Sequence, residues 1–563
     1  MTSPRARWAT LRADRASERG YVAVMTGLLL LVLMGIAAFA VDVGFWYVVG
    51  QQEQRAADAA ALAGVTSLPG DPAGAYAVAQ NFSKINGFTN GVQATTVTPG
   101  IDGQPTRLRV TVTRTVDNIF GPLLGVPKTT ISRTAVADYA GPVPMGSPCN
   151  EFGNDPEPGS NQGAACQDVT GMMWANVNSP SSAKVNGDAY QSKNGCGSSV
   201  DGCSGSTNTD YATDGYFYSV SVKAHMQSLT IQLFDPVFVN VGLFCDTNFG
   251  SGSSAATAAV NDVVSDASTR YASGSSGLYC TGDGSFSNSS PVMNTQFTVR
   301  DPGSSPWDPS TFPVHTSCVP ESGTSVAGVT TYPGYSGRLF DVLDQYTSGT
   351  TPRSTYDPTI AHGFRRWTTL CTITNPVVGD YLVQVKTNFG DARDNADATN
   401  HFAIRAFGSS SAENNSLSIS GRERMSMYSN KPGATNEFHL ARVPSGAAGQ
   451  TLKLRLFDVG DSNQSGTIKI VYPPDAAGGP FSGCQGAGPA SGALPSCSFT
   501  VNSSFNGKWQ TVSVPIPSAY SCDDRDPAKC WVRLLYDYGT GSAPHDVTSW
   551  TASIEGDPVR LVE

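Results

Sequence analysis

Charge is scarce in this chain: Asp, Glu, Lys and Arg make up 15% of its 563 residues. Histidine is scarcer, with six residues, His225, His315, His362, His401, His439 and His545, none within five positions of another. No Gly-x-Ser-x-Gly elbow, no His-Glu-x-x-His pair and no glycine-rich phosphate loop occurs. The common sequence routes to nucleophilic, zinc-assisted and phosphoryl-transfer chemistry are therefore missing. The chain reads as non-catalytic, with a secreted enzyme assembled from distant residues as an alternative. Its net charge of −10 argues against a nucleic-acid partner. Cysteine is absent before Cys149, and charge is absent from Tyr21 to Val41.

That uncharged run is what the rest is organised around. Its 21 residues span roughly 30 Å as a helix, the thickness of a bilayer's hydrocarbon core. A transmembrane helix is predicted over 21–49, after a cytoplasmic tail over 1–20. Arg5, Arg7, Arg12, Arg15 and Arg19 outweigh Asp14 and Glu18 in that tail, and the positive-inside bias places it in the cytoplasm with the bulk of the chain outside. All twelve cysteines lie from Cys149 to Cys530, as expected for disulfides in an oxidising compartment. Ala38-Phe39-Ala40 also fits a cleaved signal peptide. The run is longer than such a core, however, and Phe45, Trp46 and Tyr47 suit a membrane interface.

Beyond the span, 50–140 reads as a helical stem and a small α+β unit. Ala56, Ala60 and Gly64 recur every four residues, a small-residue face for another helix or for the adjoining domain. A second helix is expected over Ala73–Ile85. A half-buried strand is expected over Thr106–Val116, where Leu108, Val110 and Val112 alternate with Arg107, Arg109 and Thr111, and Ile131–Tyr139 reads as its partner.

Arg19-Gly20, Val41-Asp42-Val43-Gly44 and the run Gln54 to Gly64 resemble the amino-terminal segment of TadE/TadG-like Flp pilus-assembly proteins. Asn86-Gly87, the loop from Phe120 to Gly125 and the strand at Ala135-Val136-Ala137 also resemble that family. The resemblance implies a single-pass bacterial cell-membrane protein of the tight-adherence machinery, with the cytoplasmic membrane and other pilus-assembly or envelope proteins as partners. At the fifth position after Gly20 stands Met25, where prepilin-like relatives carry glutamate, which argues against prepilin-type processing.

From 141 to 209 the composition is that of a Gly/Ser/Pro-rich linker. An internal echo follows. Ser228–Asp235 returns as Thr451–Asp458, Arg366–Leu370 as Lys508–Val512, Tyr381–Val385 as Trp531–Leu535, and Phe402–Gly408 as Trp550–Gly556. The fold class is therefore mainly β, with two tandem disulfide-braced β-sandwiches over 210–408 and 409–563 after the helical stem. The first carries a long insertion, about 250–361. Proximity pairs the cysteines as 149–166, 196–203, 245–280, 318–371, 484–497 and 522–530.

Candidate binding residues fall in four places. Asp458, Asp461, Asn463 and Ser465 offer oxygen ligands for calcium, although Tyr472 stands where an EF-hand glutamate would; a solvated turn is the plainer reading. Asp391, Asp394 and Asp397 repeat the pattern in the first copy. Asp283-Gly-Ser285-Phe-Ser287 matches the letters of a metal-dependent adhesion site without the preceding apolar strand. Trp367 and Trp509 offer ring faces for sugar stacking, with core anchors as the plainer reading. A surface carbohydrate-binding or adhesion protein with surface glycans as partners is thus the second functional alternative.

Overall fold

Helix α1 (Pro4–Val65) is one uninterrupted rod of 62 residues, about 90 Å long. The computed structural model describes residues 4–68, 72–139, 142–154, 173–234, 295–304, 308–318, 367–390, 392–395, 397–429, 435–539, 544–555 and 559–562, with 163, 166, 284–285 and 542. These fall into two units, Met1–Ala140 with Pro558–Glu563, and Gly141–Asp557.

In the first unit α1 changes character along its length. From Tyr21 to Val48 its large apolar side chains are mostly exposed, and this is the stretch apolar enough to cross a membrane. From Val49 onward one face is buried, with Ala56, Ala57, Ala60, Ala61 and Val65 inaccessible to solvent. Alanine sustains the helix. Helix α2 (Pro72–Ile85) starts on a proline, whose missing N–H costs nothing in a first turn. Both helices cover a sheet of β1 (Thr95–Asp102), β2 (Gln104–Asp117), β3 (Lys128–Tyr139) and a return strand, Val559–Leu561. Leu108, Val110 and Val112 face the helices. On the outer face threonine and serine hydroxyls pair across the hairpin, as in Thr111 with Thr134 and Thr113 with Ser132, both at 2.9 Å. The return strand adds to the free side of β3, with Val559 opposite Tyr139 and Leu561 opposite Ala137. The second unit is thus an insertion between two neighbouring strands of the first.

The second unit opens with β4 (Pro144–Gly146), β5 (Glu151–Phe152), β6 (Trp174–Asn178), β7 (Cys203–Ser204), β8 (Thr207–Asn208), β9 (Tyr216–Val222) and β10 (Ser228–Phe234). β11 (Gly284–Ser285), β12 (Gln296–Arg300), β13 (Trp367–Thr374), β14 (Gly379–Lys386) and β15 (Ala398–Phe407) complete its first half. The second half runs through β16 (Leu417–Arg422), β17 (Arg424–Ser429), β18 (Thr435–Arg442), β19 (Thr451–Phe457), β20 (Gly466–Val471) and β21 (Gln485–Ala487). It ends with β22 (Gly492–Ala493), β23 (Ser498–Val501), β24 (Trp509–Pro515), β25 (Trp531–Asp537) and β26 (Asp546–Glu555).

The duplication is visible in the ladders. β10 pairs with β13 and β15, and β19 pairs with β24 and β26. Phe234 lies opposite Trp367 as Phe457 lies opposite Trp509. The last correspondence is displaced by two residues: Phe234 faces Ala403 and Phe457 faces Ser549, so Ile404, not Phe402, matches Trp550. A slip of two keeps every side chain on its face, which is why the apolar pattern concealed it.

The two copies share their sheets. One sheet runs β12-β14-β9-β16-β4-β18-β25-β20-β23, and the other β13-β10-β15-β6-β17-β26-β19-β24. β4, from the start of the first copy, lies beside β18 of the second, while β16, from the start of the second, lies beside β9 of the first. Ring contacts cross between the sheets, Tyr218 to Phe402 at 5.8 Å and Phe438 to Trp550 at 4.6 Å. One apolar core runs through both halves, so the two sandwiches expected in tandem are interlocked in a single unit.

The segment 141–209 is no linker. It supplies β4 and β6 to the shared sheets and buries Asn176, Asn178, Asp188, Gln191 and Ser192 completely. Its polarity is consumed internally: Asp188 accepts from the N–H groups of Asn178 at 2.8 Å and of Tyr190 and Gln191 at 3.0 Å. Five of the six expected disulfides, Cys149–Cys166, Cys196–Cys203, Cys318–Cys371, Cys484–Cys497 and Cys522–Cys530, are formed. Cys245 and Cys280, like most of the 250–361 insertion, lie outside the described residues.

Candidate functional site

The small-residue face of α1 is occupied by its own unit. Ala56 and Ala60 are fully buried. A Cβ added at Gly64 would lie 2.6 Å from Leu108 of β2 and 2.7 Å from the Ala75 carbonyl of α2. The expectation that Ala56, Ala60 and Gly64 receive a partner helix gives way to the alternative, a close fit to the adjoining sheet and helix.

Two other residues of this helix hold the sheet in place. Asp42 is buried at the end of the apolar run, and its carboxylate accepts the backbone N–H of Ile119 at 2.7 Å and of Phe120 at 3.1 Å. One turn on, the Trp46 indole donates to Asn118 Oδ1 at 2.8 Å. Further along, Glu53 is fully buried with no hydrogen-bond partner for either carboxylate oxygen. Burial pushes its pKa up to about 7 against the opposing pull of Arg133 and Arg114.

In the second copy the expected calcium ligands separate. Asp458 is fully buried, Asp461 half-buried, and Asn463 and Ser465 stand exposed in the following turn. Asp458 adopts φ +61°; its Oδ1 accepts the Gly507 N–H at 2.6 Å and its Oδ2 has no partner. The third carboxylate in this neighbourhood is Asp546 on β26, also buried, which accepts from the Tyr538 hydroxyl at 3.1 Å and the Thr548 hydroxyl at 2.9 Å. Burial raises all three pKa values, Asp461 to about 7, and Asp461 and Asp546 raise Asp458 further by repulsion. No basic group is among the charges that shift them, yet their carboxylate oxygens do not all converge closely enough to make a ready cation cage. Asp546 carries no local sequence signal, since it reaches the cluster only through the β19–β26 pairing.

In the first copy Asp394 caps a turn, accepting from Phe389 N–H at 2.6 Å and Gly390 N–H at 2.9 Å, and Asp397 is raised by burial. Asp391 lies outside the described residues, as do Asp283 and Ser287 of the adhesion-site lettering. Two further groups of metal-ligating side chains, around Cys318–Cys371 and Cys522–Cys530, have their thiols closed in disulfides.

Neither tryptophan presents a free ring face. Trp509 is buried, with the Arg455 guanidinium 4.2 Å above it, Tyr190 and Phe457 alongside, and its indole N–H donating to Asp210 at 3.0 Å. Trp367 is half-buried under the Arg405 guanidinium at 4.2 Å and against Phe234. The sugar-stacking expectation at these residues is replaced by a role as core anchors.

Sequence reading also missed a polar cleft of about 310 Å³ lined by Asp210, Tyr211, Asp214, Arg422, Glu423 and Arg424, among others. The turn linking β16 to β17 forms one wall, with Glu423 in the left-handed region at φ +64°. Arg424 donates to Asp214 at 3.0 Å. Burial raises the Glu423 carboxyl while Arg422 and Arg424 draw it down.

Among curated proteins and solved structures nothing matches this chain. A family model does: residues 20–68, from the foot of the apolar run through the alanine face, match the one described as putative Flp pilus-assembly TadE/G-like.

Proposed function

We propose that this protein is a non-catalytic accessory of Flp pilus assembly, anchored by α1 with its amino terminus in the cytoplasm and its β unit outside. The family match supports involvement in pilus assembly and a membrane anchor. The observation that carries the reading further is the placement of the matched segment: 20–68 comprises both the exposed apolar part of α1 and the share of α1 that packs in the stem. The basic tail and the disulfides favour the orientation. The β unit then serves as the partner-binding part. Among the described residues, the Tyr211/Arg422–Arg424 cleft is a place for a glycan that the covered Trp367 and Trp509 are not.

Affinity capture of the full-length protein from detergent-solubilised membranes, with intact-mass analysis, tests this. Pilus-assembly proteins recovered with a chain that still begins at Met1 would support it. A chain cut after Ala40 and free of such partners would refute it.

A further inference from the structure

The loop between β2 and β3, Asn118-Ile-Phe-Gly-Pro-Leu-Leu-Gly-Val-Pro127, has no charged residue. Three of its large side chains are turned outward: Leu123 is 83% exposed, Ile119 56% and Val126 50%. Such a cluster standing in water is costly, at roughly 25 cal/mol per Å² of apolar surface.

Its position along α1 says what covers it. Asp42 holds the loop through Ile119 and Phe120, while Gln54 meets Thr134 of β3 and Gly64 meets Leu108 of β2. The hairpin therefore runs beside the helix with its turn towards the apolar span. The exposed apolar surface of α1 continues past the clasp through Val43, Tyr47 and Val48, about 9 Å beyond Asp42. The loop thus lies level with lipid-facing residues.

Its backbone is prepared for a dry setting. Asn118 donates to the Pro127 carbonyl at 2.9 Å, Leu123 to Phe120 at 3.0 Å, Gly125 to Pro122 at 3.3 Å and Val126 to Gly121 at 2.9 Å. Ile119 and Phe120 bond Asp42, and Pro122 and Pro127 have no N–H to satisfy. A membrane-buried backbone needs such internal pairing. The first charges on either side, Asp117 and Lys128, form an exposed ion pair at 3.4 Å that marks where water begins.

We propose that this loop is a second membrane contact, seated in the interfacial layer of the bilayer that α1 crosses, with Ile119, Phe120, Leu123 and Val126 among the lipid. The proposal rests on the membrane-anchored reading of α1. Asp42 acquires a role in it: a carboxylate at the membrane boundary, satisfied by two N–H groups of the loop that it pins to the helix.

The test uses full-length protein in proteoliposomes, with single cysteines introduced under non-reducing conditions at Leu123, at Ile101 near the far end of the sheet and at Leu31 in the span. Each carries a polarity-sensitive fluorophore. The Leu123→Cys label should be blue-shifted relative to Ile101→Cys and lose most of its emission to lipids bearing a shallow nitroxide, while Ile101→Cys responds only to aqueous iodide. If Leu31→Cys is quenched by lipid nitroxide and Leu123→Cys behaves like Ile101→Cys, the loop proposal is overturned and the anchor stands. If Leu31→Cys also escapes quenching, the anchor reading itself fails. Shielding of Leu123→Cys that ignores lipid quenchers and fades as protein is diluted in lipid would mean a second copy covers the loop, and would equally overturn the proposal.

Discussion

The two units hide their apolar surface by opposite means. In the stem the helices contribute the smallest side chains to the interior, Ala56, Ala57, Ala60, Ala61, Ala75 and Ala79, so that at Gly64 the first helix comes close to the Ala75 carbonyl of the second and to the Leu108 side chain of β2. In the β unit the interior is built from the largest, with Trp174, Trp550, Tyr216, Tyr218 and Phe152 among the fully buried. Close approach leaves no room for added atoms, whereas a core of rings depends on each ring to fill its space. The stem should therefore be intolerant of enlargement and the β unit of truncation.

The largest effect expected from that contrast is at Trp550, which bridges the sheets through Phe438. Trp550→Ala should cost about 3–5 kcal/mol, read as a lowered denaturation midpoint of the β unit with the stem unchanged. A loss near 1 kcal/mol would show that the rings are not what fills this core. Next comes Gly64→Leu, which forces a side chain against Leu108 and the Ala75 carbonyl and should cost about 1–3 kcal/mol. Faster amide exchange confined to α2 and β2 would confirm it, and a variant that exchanges like the parent would break the comparison.

Both units also hold carboxylates whose pKa burial raises, and here they should behave alike. Asp461 titrates near 7 in the folded chain against 3.8 for the ordinary group, so the unfolded state releases its proton first and stability falls as pH rises between those values. Asp461→Asn should flatten that slope in melts recorded in chelator. If the cluster takes calcium, the added ion should restore stability at pH 8 in the parent and not in Asp458→Asn; equal responses would rule out a site there. The smallest effect is expected in the stem, where Glu53, raised from 4.5 to about 7, gives the same sign. Glu53→Gln should raise the stem's melting temperature above pH 7 and leave it unchanged near pH 4.

What could be read from sequence followed the range of the interactions concerned. The apolar run, the alanine helix and the alternation at Leu108, Val110 and Val112 are local patterns, and they emerged within a few residues of their observed limits. β1 was missed because Pro99-Gly100 resembles a turn, although both pair within the ladder opposite Val110 and Arg109. The 141–209 segment was misread because Asn178, Asp188 and Gln191 look solvent-seeking until their hydrogen bonds are known. Asp546, the cleft at Glu423 and the exchange of β4 and β16 depend on contacts between distant strands, for which one sequence offers no periodicity. The repeat itself was legible, since each copy reproduces its pattern; how the copies share sheets was not.

The return strand at Val559–Leu561 also sets an order of events. Ribosomes add roughly 5–20 residues per second, so the stem's sheet waits tens of seconds for its last member while all of Gly141–Asp557 is made. Throughout that interval β3 keeps an unpaired edge, the kind that recruits strands from other chains. Completion of the stem is thus conditional on the synthesis of everything from Gly141 to Asp557, and a chain truncated anywhere in the β unit would display that edge permanently.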